Sequence, residues 1–417
     1  MIRITDKKDC CGCHACASVC ARHSITMQED NEGFLYPVVD TSTCTDCGLC
    51  EKVCPVINQD ETRKPLKVYA AKNRNEEIRR QSSSGGIFTP LAEAVIRDGG
   101  VVFGAKFDKD WNVVHAWTDT IEGIADFRGS KYVQSTIGDT YREAREFLKQ
   151  GRKVLFSGTP CQIAGLRKFL RKEYDNLLTV DVVCHGCPSP GVFRWYMSEE
   201  LQKIKSGKIC KDKCLLPSFS EIPSIDILAK NEGMDIKQIN FRDKSTGWKS
   251  YSFRLEYQLE QETETYAILG SKNSYMRGFL SDLFLRPSCY DCPAKAGKSG
   301  ADITLGDFWG IQRFLPEIDD DLGISAIMLN TKRSEGILLS IQTELYKSNY
   351  DDICLYNPSL IKSSELPIER TKFYNKAENN FHTRVSKYEK IYKPPFIIRI
   401  KVLVYNILQQ LKMIHHS

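Results

Sequence analysis

From residue 68 onward the chain alternates short apolar runs with apolar residues at helical spacing. Val68 to Ala71 reads as a buried strand, and Ile87, Leu91, Ala94 and Val95 mark a helix over 87–96 that stops at Gly99-Gly100. Val101–Phe107 and Val113–Trp117 predict two strands joined by a turn. Thr140-Tyr-Arg-Glu143 is a capping-box start for a helix closed by Gly151. The alternation then repeats: strand 153–157, helix 162–171, strand 177–184 and an amphipathic helix 192–204. Such βα alternation predicts an α/β domain with a mixed or largely parallel sheet. Residues 206–230 are less regular and read as an insertion. Strands at 236–241, 251–258 and 263–269 predict a more antiparallel section. Buried-strand character returns at 301–305 and 325–329, followed by a predicted helix over 334–346.

The first 58 residues follow no such alternation. Their pattern is one of cysteines: Cys10-x2-Cys13-x2-Cys16-x3-Cys20, then Cys44-x2-Cys47-x2-Cys50-x3-Cys54-Pro55, with twenty-three residues between the runs. Three thiols two residues apart on a tight loop reach three irons of one cube, and the fourth, past a turn, points to the other cube. The spacing therefore assigns Cys10, Cys13, Cys16 and Cys54 to one [4Fe–4S] cluster and Cys44, Cys47, Cys50 and Cys20 to a second. The stretch resembles a two-cluster ferredoxin domain, which has an α+β fold. Zinc is the alternative occupant, since Cys pairs at this spacing also suit a tetrahedral ion, but it accounts for pairs better than for two identical runs of four. Cys20 lacks the proline that follows Cys54, and Cys11 reads as a spectator.

Composition narrows the setting. The 417 residues are 41% apolar and 27% charged, ordinary for a globular chain of two or three domains. A net charge of +5 gives no basic footprint for nucleic acid. The seventeen cysteines come with a polar, non-signal-like start over 1–9, which suits metal-ligand thiols in a reducing, cytoplasmic setting. No apolar run approaches the ~18 residues of a membrane span. Within 392–413, apolar residues interrupted by Arg399 and Lys401 form either a basic amphipathic helix for a membrane surface or a helix packed on protein.

Further chemistry is scattered through the α/β pattern. Cys161 lies between a strand and a helix, Cys184 ends the next strand, and Cys289-x2-Cys292 follows much later. Consecutive parallel strands bring such ends together, where α/β proteins bind ligands. The four could hold a third cluster, with the helix start at Cys161 favouring thiolate charge. The open alternatives are two small core residues plus half a zinc site, or Cys161 as a nucleophile with His185 as base. Cys187, Cys210, Cys214 and Cys354 show no spacing logic, and Cys187 is the substitute ligand. The small-residue loop Gln81 to Phe88 suits a phosphate or a flavin edge, or is a plain helix cap. Lys131 and Tyr132 offer a cation beside an aromatic ring, or form part of a surface strand.

These motifs together resemble the family of coenzyme F420 hydrogenase/dehydrogenase beta subunits. The matching pieces are the Ser-Ser-Ser-Gly-Gly loop, Arg128 to Gln134, Ser157 to Gln162, Val183 to Gly186, and Cys289-x2-Cys292 with Ala301 to Asp307. The resemblance implies FAD on Ser83, Ser84, Gly85, Gly86, Lys131, Tyr132, Gln134, Gly158 and Thr159, with a [4Fe–4S] cluster beside it on Cys161, Cys184, Cys289 and Cys292. It implies three parts: a ferredoxin domain over 1–58, a flavin and iron–sulfur domain over 67–350, and a C-terminal extension over 351–417. The expected function is electron transfer between a one-electron carrier, protein or small molecule, and a two-electron substrate. The alternative is an electron-transfer subunit serving a partner enzyme, for example in surface-polysaccharide synthesis. Chlorophyll-pathway reductases share the fold, so the family leaves the substrate, and the use of F420, open.

Overall fold

In the computed structural model, residues 1–207, 218–375 and 380–390 are described. The stretch at 392–413, and Cys210 and Cys214, lie outside them. Strands β1 (Ile25–Glu29) and β2 (Leu35–Val39) form an antiparallel hairpin beside the two cysteine runs. The runs fold alike. Gly12 and His14 flank Cys13 with φ of 69° and 61°, and Asp46 and Gly48 flank Cys47 with φ of 49° and 72°. Each run then enters a short helix, Ala15–Val19 or Leu49–Lys52. The repeated spacing is thus a repeated backbone.

The main sheet has eight strands. They are β3 (Lys67–Asn73), β4 (Val101–Phe107), β5 (Val113–Thr118), β6 (Val154–Gly158), β7 (Leu177–Val182), β11 (Ile303–Asp307), β12 (Ser325–Leu329) and β13 (Thr343–Lys347), in the order β13-β3-β12-β11-β7-β6-β4-β5. The centre β11-β7-β6-β4 is parallel and both flanks are antiparallel. A mixed α/β sheet is therefore observed, as the alternation predicts. Strand β6 shows how both faces are covered. Phe156 packs with Phe103, Tyr141, Ile163 and Phe169 on one side, and Leu155 with Leu91, Ile327 and Leu338 on the other.

A separate antiparallel sheet, β8 (Met234–Asp243), β9 (Ser252–Leu259) and β10 (Glu262–Leu269), shares an aromatic core with helices Pro190–Ser206, Ser274–Leu280 and Phe381–Tyr388. The described end of the segment expected to be irregular holds a helix, Ile225–Asn231, which buries Ile225 and Ala229. One predicted element changes. The helix expected over 334–346 ends at Ser340, and 343–347 pairs as β13 with the edge of β3, Leu345 opposite Ala71. The free edge of β3 offers ladder bonds, and Leu345 can reach the core from a strand.

Helix Pro160–Leu170 ties the cysteine module to the sheet. Pro160 occupies the first turn, Thr159 and Gln162 form a capping box, and Ile163, Leu166, Phe169 and Leu170 bury its apolar face. Gly165 is required for close approach: a Cβ there would sit 2.8 Å from Cys13 Cβ and 2.9 Å from Cys13 Sγ. Gly165→Ala should gain about 1 kcal/mol of helix propensity but lose about 1–3 kcal/mol to overpacking. The expected net result is a lower thermal unfolding midpoint, and an unchanged or higher midpoint would contradict this contact.

Candidate cysteine cages and the adjoining cavity

The thiols assigned by spacing to the first site lie within electrostatic reach of one another. Cys13 is exposed to the charge of Cys16 and Cys54, and Cys16 and Cys54 both to that of Cys10. Burial pushes the Cys16 thiol up to about 12, with Cys10 and Cys54 adding to the rise. That crowding of buried thiols is what a cationic cluster relieves. Cys50 and Cys20 share a small core with Ile2 and Ile25, while Cys44 is half-buried and Cys47 exposed. Backbone N–H groups of Ile2 and Asp46 donate to Cys50 Sγ (3.2 Å) and Cys44 Sγ (3.4 Å). Such N–H···S bonds tune iron–sulfur sites.

The four later cysteines also meet, and two more join them. Cys161, Cys184, Cys289 and Cys292 surround one small void together with Cys187 and Cys11. Cys161 comes from the first turn of helix Pro160–Leu170, Cys184 and Cys187 from the loop after β7, and Cys289 from a 3-10 turn. The N–H of Cys187 donates to Cys289 Sγ at 3.3 Å. The Cys187 thiol lowers the pKa of Cys184, against burial and with help from Lys295. It lowers that of Cys289 in the same way. Lys295 itself donates to the carbonyls of Cys184 and Ser359. Six soft sulfurs without a carboxylate among them suit an iron–sulfur cluster better than a hard cation. Cys187 is therefore inside the group, and Cys184-x2-Cys187 is a spacing that the sequence does carry. Cys11 has no spacing signal. Cys354 lies apart, beside Tyr350.

Arg286 joins these groups. Its backbone N–H donates to Cys187 O and its carbonyl accepts from Cys289 N. Its side chain, 1% exposed, donates to Cys10 O (2.6 Å), Cys10 Sγ (3.3 Å), Leu35 O (3.0 Å) and Gln134 Oε1 (3.0 Å). Burial opposes its charge, but Cys10, Tyr36 and Cys11 outweigh that and hold it protonated.

A cavity of about 310 Å³ lies at the carboxyl ends of the parallel strands, where such sheets take ligands. Its wall includes Ser83, Ser84, Gly86, Lys131, Tyr132, Gln134, Gly158 and Thr159, and it shares Cys184 to Cys187 with the six-cysteine cage. Several of these groups are engaged by the protein. Ser84 Oγ donates to Ile324 O, Ser83 Oγ accepts from Ser130 N, and Gly85 N donates to Ser325 Oγ. Gly85 does not line the cavity; a Cβ there would lie 2.4 Å from Ala71 O. Gln134 Nε2 donates to Cys11 O at 3.1 Å. Tyr132 OH accepts from Arg242 Nη1, and its ring packs on Phe279. Lys131 Nζ donates to Asp126 O (2.7 Å) and Arg128 O (2.9 Å), and burial pulls its pKa down to about 7.

His115, which no sequence motif marks, lines the same cavity. Its Nε2 faces the Ser157 carbonyl at 3.0 Å and so carries the proton, leaving Nδ1 to accept from Ser135 Oγ at 2.9 Å. Gln162 Nε2 donates to the same hydroxyl. Burial holds the imidazole pKa near 4, so it is neutral. The sequence pattern names no partner for His115 because Ser135 and Ser157 come from separate elements.

A duplicated four-cysteine module joined to a mixed α/β sheet, with a thiol cage at the sheet's carboxyl edge, defines the chain as an iron–sulfur electron-transfer oxidoreductase component. It belongs to the family of coenzyme F420 hydrogenase/dehydrogenase beta subunits: the family's N-terminal description matches residues 68–140 and its C-terminal description residues 151–348. A 4Fe-4S dicluster domain matches residues 9–58, which favours iron–sulfur over zinc there. The chain is 29% identical over 250 residues to a coenzyme F420-dependent sulfite reductase of Methanocaldococcus jannaschii, covering 56% of this chain and 36% of that protein. It is 24% identical over 216 residues to a subunit of the F(420)H(2) dehydrogenase of Methanosarcina mazei, covering 48% and 60% respectively. The matches thus span about a third and three fifths of those relatives. A chain of the F420-reducing [NiFe] hydrogenase complex from Methanosarcina barkeri superposes with a TM-score of 0.44 at 16% identity, covering 73% of this chain and 91% of that one. Among the described residues no helix is long and apolar enough to cross a membrane.

Arg286→Gln should cost at least about 3 kcal/mol, because several buried acceptors lose their donor at once. Thermal unfolding of the anaerobic protein should show a midpoint well below wild type. A midpoint within a degree or two of wild type would mean that Arg286 is not the tie described.

Proposed function

We propose that this chain passes electrons between a one-electron carrier and a two-electron substrate, using three [4Fe–4S] clusters and FAD. The observation that carries the reading is the shared wall, Cys184 to Cys187, between the six-cysteine cage and the cavity. Cys10, Cys13, Cys16 and Cys54 would hold one cluster, and Cys20, Cys44, Cys47 and Cys50 the second. Cys161, Cys184, Cys289 and Cys292 would hold the third, with Cys187 as the alternative ligand. A flavin, when bound, supplies exchange of single electrons on one side and of hydride on the other.

The cavity residues have matching tasks. Lys131 offers positive charge to an anionic ligand, and Tyr132, held by Arg242 and Phe279, offers a fixed aromatic wall. Neutral His115 holds the Ser135 hydroxyl, which also accepts from Gln162, the residue after Cys161, rather than supplying a proton. Exposed Cys47 puts the second ferredoxin site nearest the surface, suited to a redox partner protein or small carrier. One relative is described as part of a dehydrogenase, and this favours a second reading, in which the chain serves a partner enzyme and has no substrate of its own.

Metal and flavin analysis of anaerobically purified protein tests the reading. The expected result is about twelve irons and one flavin per chain, with Cys161→Ala losing about four irons. Colourless protein carrying zinc and no iron would overturn it, and unchanged iron in Cys161→Ala would remove the third cluster. Reduction of a small molecule without added protein separates the two readings.

FAD affinity should also depend on pH. Lys131 is an ammonium below about 7 and neutral above it, so affinity for the anionic cofactor should fall as pH rises through that value. Loss of one charge-assisted contact corresponds to about tenfold. Fluorescence titration from pH 6 to 8 should show that fall in wild type and a flat, weak profile in Lys131→Met. Lys244, whose pKa burial also lowers to about 7, donates to the carbonyls of Arg79, Ser84 and Leu322 and does not line the cavity, so a slope that persists in Lys131→Met would overturn the role of Lys131.

A further inference from the structure

Cys11 belongs to neither four-cysteine run by spacing, yet it is only 4% exposed and lines the void of the third cage. It packs in one core with Cys13, a ligand of the first ferredoxin site, and with Cys161 of the third cage. Its thiol feels the charge of Cys13, and the Cys161 thiol in turn feels that of Cys11.

The surroundings fix this position from three directions. Gln134 Nε2 donates to the Cys11 carbonyl at 3.1 Å, and Arg286 Nε to the carbonyl of Cys10 at 2.6 Å. Gly12, with φ of 69°, lets the chain pass beneath both side chains; a Cβ there would lie 2.7 Å from Gln134 Nε2 and 2.8 Å from Arg286 Nη1. On the opposite side, Gly165 brings the helix that carries Cys161 against Cys13. The arginine and glutamine contacts press the loop into the helix, and the two glycines permit the approach.

We propose that Cys11 is the electronic bridge between the first ferredoxin site and the third cage, a positioning residue that serves electron passage without ligating iron. The proposal rests on the cluster reading above. Its thiol stands in the packed core that Cys13 and Cys161 share, where an apolar side chain would leave only hydrocarbon between the two sites. In the step it serves, one electron leaves the site of Cys10, Cys13, Cys16 and Cys54, and one arrives at the site of Cys161. No bond forms or breaks, no proton moves, and an external one-electron reductant supplies the electron.

The test uses anaerobically purified full-length wild type, Cys11→Ala and Cys11→Ser, each assayed for iron and mixed with limiting dithionite for freeze-quench electron paramagnetic resonance. All three proteins are expected to hold about twelve irons. In Cys11→Ala the third-site signal should appear about tenfold more slowly, the scale on which outer partners of metal sites act. Cys11→Ser, which keeps a hydrogen-bonding group, should recover part of the rate. An unchanged rate in a fully loaded Cys11→Ala overturns the bridge. Loss of about four irons in both variants also overturns it, because Cys11 would then be a ligand. Wild type with about eight irons removes the third cluster itself, so failure of the underlying reading is told apart from failure of the bridge.

Discussion

One buried guanidinium holds the redox half of this protein together. Arg286 meets the third cysteine cage through its backbone and the first ferredoxin loop through its side chain, and it stacks over Tyr36 at 4.2 Å. A charge in that position is costly unless every donor is used and negative groups surround it. Cys10 Sγ, the Cys10 and Leu35 carbonyls, Gln134 Oε1 and the Tyr36 ring together meet that condition. Removing either side leaves the other stranded, so the cage and the ferredoxin loop are linked in one energetic unit.

Other arginines repeat the tactic at lower cost. Arg142 donates to the carbonyls of Ala17 and Ser18 at the end of helix Ala15–Val19, and Arg194 and Arg370 pair with Glu29 and Glu32. These contacts clamp the small module at its loops, where its own secondary structure leaves carbonyls free. The module contributes little core of its own, its buried apolar residues being two small clusters around Ile2, Ile25 and Cys50 and around Cys10, Phe34 and Tyr36. It depends on the large sheet for rigidity.

The cavity illustrates a division of labour among residues that look interchangeable in sequence. In the small-residue loop, Ser83, Ser84 and Gly86 line the cavity, yet the Ser84 hydroxyl bonds Ile324 O, the Gly85 N–H bonds Ser325 Oγ and the Ser83 hydroxyl accepts from Ser130 N. Gln134 faces the cavity yet spends its amide on Cys11 and Arg286. The sequence singles out the loop but cannot apportion its groups, because their partners lie 47 to 240 residues away. The same limit explains Cys11. Nothing local distinguishes it, and only the fold brings Cys161 within reach. Cys187 is a different matter, since the spacing Cys184-x2-Cys187 is local and legible although it stands outside the expected ligand set. The strand at 343–347 reads as helix in sequence because short apolar patterns fit either period until a free sheet edge decides.

By itself the sequence determined the duplicated cysteine module, the α/β alternation and the family resemblance, because each is written in local spacing. The two long cysteine runs repeat their loop turns with their spacing, and strand and helix periods are visible within a dozen residues. Tertiary structure alone decided the sixfold cage, the neutral His115 network, the clamp by Arg286 and the place of Cys11. Those depend on which strand ends lie side by side and on which side chains lose water together. Burial and long-range hydrogen bonding are properties of the packed chain, and no local pattern carries them.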